Sequence, residues 1–257
     1  MASGSGGTRG EGSFPPFLNA VSLGLIPGYT AVVIAGHNPD IDATPEEDIW
    51  EGGGSLSYLS SAETMNIAST AAADDDGSTG VETILVKGLD ASYLEIQEVV
   101  TMNGTSNVLT SNSYLRVHQL IAQTAGTGLT NAGIITATAS SAATVQCEMD
   151  AGEGTSQNSH YTIPAGKSGI VLRVELDSHK TVGASPLVEF MGMVRPFGGA
   201  WIQVFGRHME TDVDDSIVVE QPVAPLISAK TDIRMAVSSD KADTEVRSRM
   251  YLLLKTL

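Results

Sequence analysis

The chain has 257 residues, long enough to bury a sizeable apolar core without disulfides or metals to staple it. Lys and Arg number 14 against 30 Asp and Glu, a formal charge of −16, so the chain is not expected to bind nucleic acid, whose phosphates it would repel. Only 17% of residues are charged, and small polar residues, Gly and Val fill the gap, the composition of sheets joined by turns.

The opening Met1 to Ser13 is Gly-rich and polar, and lacks the side chains to offset the entropy of ordering, so it is expected to be flexible. It has neither the basic start nor the apolar stretch of a secretory signal, which points to an intracellular product. No apolar run approaches the ~20 residues of a membrane helix, so no membrane partner is expected. From Phe14 to Trp50, Pro15-Pro16, Pro27-Gly28, Asn38-Pro39 and Pro45 interrupt short apolar pieces. Each Pro fixes φ and removes a donor, so residues 1–48 read as an extended N-terminal arm whose apolar side chains need a partner.

Beyond Gly52-Gly53-Gly54 a period of two takes over. In Tyr93 to Met102, Leu94, Ile96, Val100 and Met102 share one face while Glu95, Gln97 and Thr101 share the other. Asn103-Gly104 then predicts a hairpin, with Val108 beginning the return strand. Further strands are predicted in 81–87, 113–123, 169–176, 187–194, 200–205, 231–237 and 245–254, with Gly, Pro and Asp turns between them. No dozen residues sustain a helical stripe. The pattern is that of an all-β chain, an antiparallel β-sandwich of jelly-roll type over residues 49–257, with division into two smaller sandwiches at Asp150 to His160 as the alternative.

Chemistry-bearing motifs are sparse, and no catalytic, cofactor-binding or metal residue is assigned. His37, His118, His160, His179 and His208 have no helix-borne zinc spacing and read as surface or turn residues. The lone Cys147 lies in a predicted strand and reads as a small core residue. Gly166-Lys167-Ser168 lacks the first Gly of a phosphate loop, because Tyr161 stands there, and a strand follows it. The acidic turns around Asp40 and Asp42 and around Asp212 and Asp214 are the places where a cation has oxygen ligands to choose from, and solvated turns account for both. Aromatic residues make up 5%, too few for a typical carbohydrate platform, which leaves a glycan-binding or glycan-cleaving receptor as a minor alternative. Phe14, Phe17, Trp50 and Trp201 lie in the arm or beside Gly-rich turns and are the candidate partner contacts, with core capping as the competing role of the two Trp residues.

The stretch His37-Asn38-Pro39-Asp40-Ile41-Asp42, followed by Glu47-Asp48-Ile49-Trp50-Glu51-Gly52-Gly53-Gly54, resembles the N-terminal signature of tailed-phage virion structural proteins, particularly of marine and cyanobacterial podoviruses. Gly88-Leu89-Asp90-Ala91, Glu98 to Thr105, Tyr114-Leu115-Arg116-Val117 and Arg195-Pro196-Phe197-Gly198-Gly199 are similar to segments of the same proteins, in the same order. The resemblance implies a non-enzymatic β-sandwich that decorates or cements the capsid surface of a virion. The partners it implies are the major capsid protein or other virion proteins, and further copies of the chain, a trimer above other homo-oligomers. A tail or fibre-base adaptor is the alternative place in the virion, and no cofactor is implied.

Overall fold

The computed structural model describes residues 17–43, 46–180, 183–211, 214–220 and 224–257. In chain order these form α1 (Phe17–Ser22), β1 (Tyr29–Ile41), β2 (Glu47–Asp48), β3 (Glu63–Ser69), β4 (Val81–Leu89) and β5 (Glu95–Thr101). There follow β6 (Val108–Tyr114), β7 (Arg116–Ala125), β8 (Ile135–Ala139), β9 (Val145–Met149), β10 (Tyr161–Thr162) and β11 (Lys167–Lys180). The last are β12 (Leu187–Arg195), β13 (Ile202–Glu210), β14 (Asp214–Glu220), β15 (Asp232–Ser239) and β16 (Thr244–Thr256). The all-β, antiparallel sandwich architecture expected from the period-two pattern is what these strands build.

Two hydrophobic cores, rather than one, fill the described residues. The larger sandwich packs the sheet β1-β16-β11-β14 against β10-β15-β12-β13, with β2 added to β15. Its core draws Ile34, Val174 and Met250 from the first sheet and Phe190, Met235 and Val237 from the second. Along β16, Thr244, Val246, Ser248 and Met250 are buried while Arg247 and Arg249 between them are exposed, the alternation that the pleat requires. Fully buried side chains such as Phe190 each contribute about 1.5–3 kcal/mol. The smaller sandwich packs β6-β3-β8-β9 against β5-β4-β7 around Met65, Ile67, Ile84, Val86, Leu120 and Ile135. It is inserted between β2 and β10, so the chain crosses from one unit to the other near residues 50–62 and again near 150–160.

Three local expectations come out differently. Residues 29–41 are extended, as read for the arm, but β1 pairs with β16 from Tyr29↔Lys255 to Ile41↔Thr244 and its Ile34 and Ile41 lie in the larger core. One side of this segment's main chain is thus paired and part of its apolar surface is covered inside the fold, and Pro39 falls at the irregularity between Asn38 and Ile41, where a ladder donor is dispensable. Ahead of it, Phe17–Ser22 is helical rather than extended.

The third difference concerns Asn103-Gly104. Gly104 does take the positive φ of 55° that the dipeptide favours. The strands it joins are nevertheless not partners, because β5 pairs with β4 and β6 pairs with β3 in the opposite sheet. The turn carries the chain across the sandwich, pinned by Gly104 N–H donating to Asp74 O at 2.8 Å and Ser69 N–H donating to Gly104 O at 3.0 Å. Asp74 is fully buried and organises this end of the smaller unit. Its carboxylate accepts from the Ser69 hydroxyl at 2.5 Å and from the backbone N–H groups of Val81, Ala132 and Gly133 at 2.7 to 2.9 Å. Burial by itself raises the Asp74 pKa, and the Ser69 and backbone donors outweigh it and hold the carboxyl below the usual range.

Candidate functional site

Two features stand out: an apolar N-terminal face and a polar joint between the sandwiches. Phe17 (51% exposed), Leu18, Leu23 and Leu25 present large apolar side chains to solvent, and Val33 on β1 adds another. The Phe17 ring meets Tyr29 edge-on with centroids 5.8 Å apart, which ties α1 to the start of β1. Four of these five large exposed apolar side chains fall within residues 17–25, which makes that segment a candidate contact surface.

The joint is built on charge. Arg116, at the start of β7, sends Nε to Asp232 Oδ1 at 2.9 Å and Nη2 to Oδ2 at 3.2 Å, and its Nη1 donates to the carbonyls of Leu59 and Leu115. Arg195 donates to the same Asp232 carboxylate from the other side, with Nη2 2.6 Å from Oδ2, and the Thr162 hydroxyl donates to Oδ1 at 2.5 Å. Burial opposes the Asp232 charge, but Arg116, Thr162 and Arg195 outweigh it and hold the carboxyl below its ordinary pKa. Arg234 closes a second set, donating to Asp48 Oδ1 at 2.5 Å and to Glu46 Oε1 at 2.7 Å.

Two aromatic rings thread through these guanidinium groups. Arg116 and Arg195 lie over Tyr58, 4.9 and 4.4 Å from its centroid, and Arg195 and Arg234 lie over Trp201 at 4.8 and 4.7 Å. Tyr58 and Trp201 touch edge-on at 5.3 Å. Stacked planar cations and rings exclude water from the ion pairs and lock their rotamers. The Tyr58 hydroxyl and His160 Nδ1 share a hydrogen bond of 2.8 Å. Burial lowers the His160 pKa, with the Asp48 charge opposing it, so the ring sits neutral beside the carboxylates. The arrangement fixes an angle between two bodies, with the charges engaged by one another.

The sequence-based contact residues part company here. Phe14 lies outside the described residues. Phe17 is at the surface. Trp50 is buried (5% exposed), with its indole N–H donating to Gly54 O at 3.1 Å, so it fills the fold and is not a surface anchor. Trp201 belongs to the joint. The histidine reading needs correction as well: His208 is exposed, but His37 and His160 are buried because β1 and the 157–160 segment pack against each other, with His37 N–H donating to Gln157 O. Asp40 and Asp42 are exposed, and their backbone N–H groups are bonded within the loop to Asn38 Oδ1 and Glu47 Oε1. Asp212 lies outside the described residues, and Asp214 pairs through its backbone with His179. Among the described residues one trio of potential metal ligands comes together, His37, Glu51 and Asp150, which the sequence reading did not find because each comes from a different stretch of chain.

No family model matches the chain, and no curated protein does. Solved structures similar to it include that of infectious bursal disease virus strain Gx, at 10% identity and a TM-score of 0.22 over 95% of this chain and 76% of that one. The VP2 subviral particle of the same virus is similar at 10% identity and a TM-score of 0.22, over 89% and 72% of the two chains. T=1 particles derived from that virus give 11% identity and a TM-score of 0.24, over 94% and 75%. The similarity to these structures is distant.

Proposed function

We propose that this protein is a non-enzymatic structural component of a virion that decorates and cements the capsid shell, binding the major capsid protein through its N-terminal face. The observation that carries this reading is the exposed apolar cluster Phe17, Leu18, Leu23 and Leu25, side chains that the fold leaves uncovered. The ordered resemblance of residues 37–54 and the later segments to phage virion proteins supports the same reading, and so does the charge of −16, which keeps coated particles mutually repelling. The contact segment is α1 with the turn that follows it; β1 is structural, and deleting residues up to 50 would strip Ile34, Ile41 and Ile49 from the larger core.

Copies of the chain associate through β13 and β14, edge strands with no further strand partner among the described residues. These strands end the two sheets of the larger sandwich and expose Ile202, Val204 and Val218, a surface suited to edge-on packing around a symmetry axis. Serine substitutions at Leu18, Leu23 and Leu25 test the reading by cosedimentation with shells depleted of the protein. The expected result is lost shell binding with unchanged thermal unfolding; retained binding overturns it. A copy number per particle of only a few would move the protein to the tail.

A further inference from the structure

His37 lies on β1, Glu51 follows Trp50, and Asp150 follows β9, and one ligand atom from each lies within 4.8 Å of the others. His37 and Glu51 are 7% and 5% exposed. His37 Nε2 is 3.2 Å from Glu245 Oε1, which places the ring proton on that nitrogen, and Nδ1 is left buried without a partner. Glu51 Oε2 accepts the Gln157 N–H at 2.9 Å, and its Oε1 is likewise buried without a partner. A buried imidazole nitrogen and a buried carboxylate oxygen, both without a partner and on residues whose ligand atoms come within 4.8 Å, are groups that a cation would satisfy.

We propose that His37 Nδ1, Glu51 Oε1 and an Asp150 carboxylate oxygen hold a divalent transition-metal ion of the zinc class, with water completing its coordination. One imidazole and two carboxylates make a mixed nitrogen and oxygen set, which favours zinc over calcium or magnesium, whose sites are built from oxygen alone. Glu245, accepting from the far side of His37, is the carboxylate that orients a metal-bound imidazole. Asp150 belongs to the smaller sandwich and His37 to the larger, so the ion clips the two together at a point separate from the Arg116 and Asp232 pair.

The test uses the full chain stripped of metal by chelator dialysis and titrated with zinc chloride. Saturation at one zinc per chain with a rise in Tm is expected, while magnesium and calcium chloride at the same concentration produce neither. Glu51→Gln keeps the size of the side chain and puts an amide donor where the ligand oxygen was, so its metal-free Tm should equal or exceed that of the unaltered chain while zinc binding weakens about 100-fold or more; Glu245→Ala should weaken it about 10- to 100-fold. Cobalt loading of the unaltered chain needs no variant and should give a visible absorption band from nitrogen and oxygen coordination. Absence of saturable zinc uptake and of a cobalt band, zinc affinity unchanged in Glu51→Gln, or saturation by calcium or magnesium overturns the proposal.

Discussion

Arg116 and Asp232 stand 116 residues apart in the chain and meet in a two-pronged, buried ion pair across the boundary between the sandwiches. Removing one partner of such a pair leaves the other charge buried, at a cost of about 3–5 kcal/mol, whereas removing both costs much less than the sum. Asp232→Ala should therefore be the more damaging single change, since it strands Arg116 and Arg195 together. In urea unfolding followed by intrinsic fluorescence and circular dichroism, the native chain should unfold with its two units coupled, and Asp232→Ala should separate into two transitions. A single unshifted transition in Asp232→Ala, or strictly additive energies for Arg116→Ala and Asp232→Ala, would show that the pair does not join the units.

His118 carries the clearest dependence on pH. Burial, with the nearby Arg116 charge and against the attraction of Asp232, lowers its pKa to about 3, and His160 adds to the lowering. Its Nε2 accepts the Thr162 N–H at 3.1 Å, so the folded chain holds the neutral ring. The unfolded ring titrates near ~6.5 and binds protons that the folded ring refuses, so this contribution is complete above about pH 6.5 and is lost as the pH falls toward 3. At pH 5 the loss from this one group is about 2 kcal/mol. His118→Gln keeps an acceptor for Thr162, and its urea midpoint should fall less steeply between pH 6.5 and 4 than that of the native chain. Equal slopes would place the acid sensitivity elsewhere.

Asp74 collects donors that nothing else can satisfy. In Asp74→Ala the buried N–H groups of Val81, Ala132 and Gly133 lose their acceptor, and each orphaned group costs about 1–3 kcal/mol. The expected outcome is a loss of at least about 3 kcal/mol from the smaller sandwich, with fast amide exchange at those three positions by NMR. Retained protection there would mean that the 71–80 loop can be rebuilt without its carboxylate.

Strand positions were legible in the sequence because alternation is local information: Ile84, Val86 and Val100 face a core for the same reason that Gln97 and Thr101 do not. Pairing was not legible, because a turn dipeptide specifies the dihedral angles of two residues and not the sheet in which the next strand finds its partner. Gly104 has the predicted conformation and the wrong neighbours. Trp201 was legible as a residue with a role, but the role depends on Arg195 and Arg234, whose positions follow from the β12 and β15 pairing. His37, Glu51 and Asp150 show no spacing rule because strand packing, not a helix face, brings them together.

The pairing of β1 with β16 also sets a timetable. A ribosome adding ~5–20 residues per second finishes β16 on the order of ten to forty seconds after β1 has emerged, while all strands of the inserted smaller unit become available in between. Throughout that interval Val32 and Ile34 hang from a strand with no edge to join, beside a neighbour already folded. The newborn chain thus depends on a chaperone, or on speed, to guard one strand until its last segment arrives.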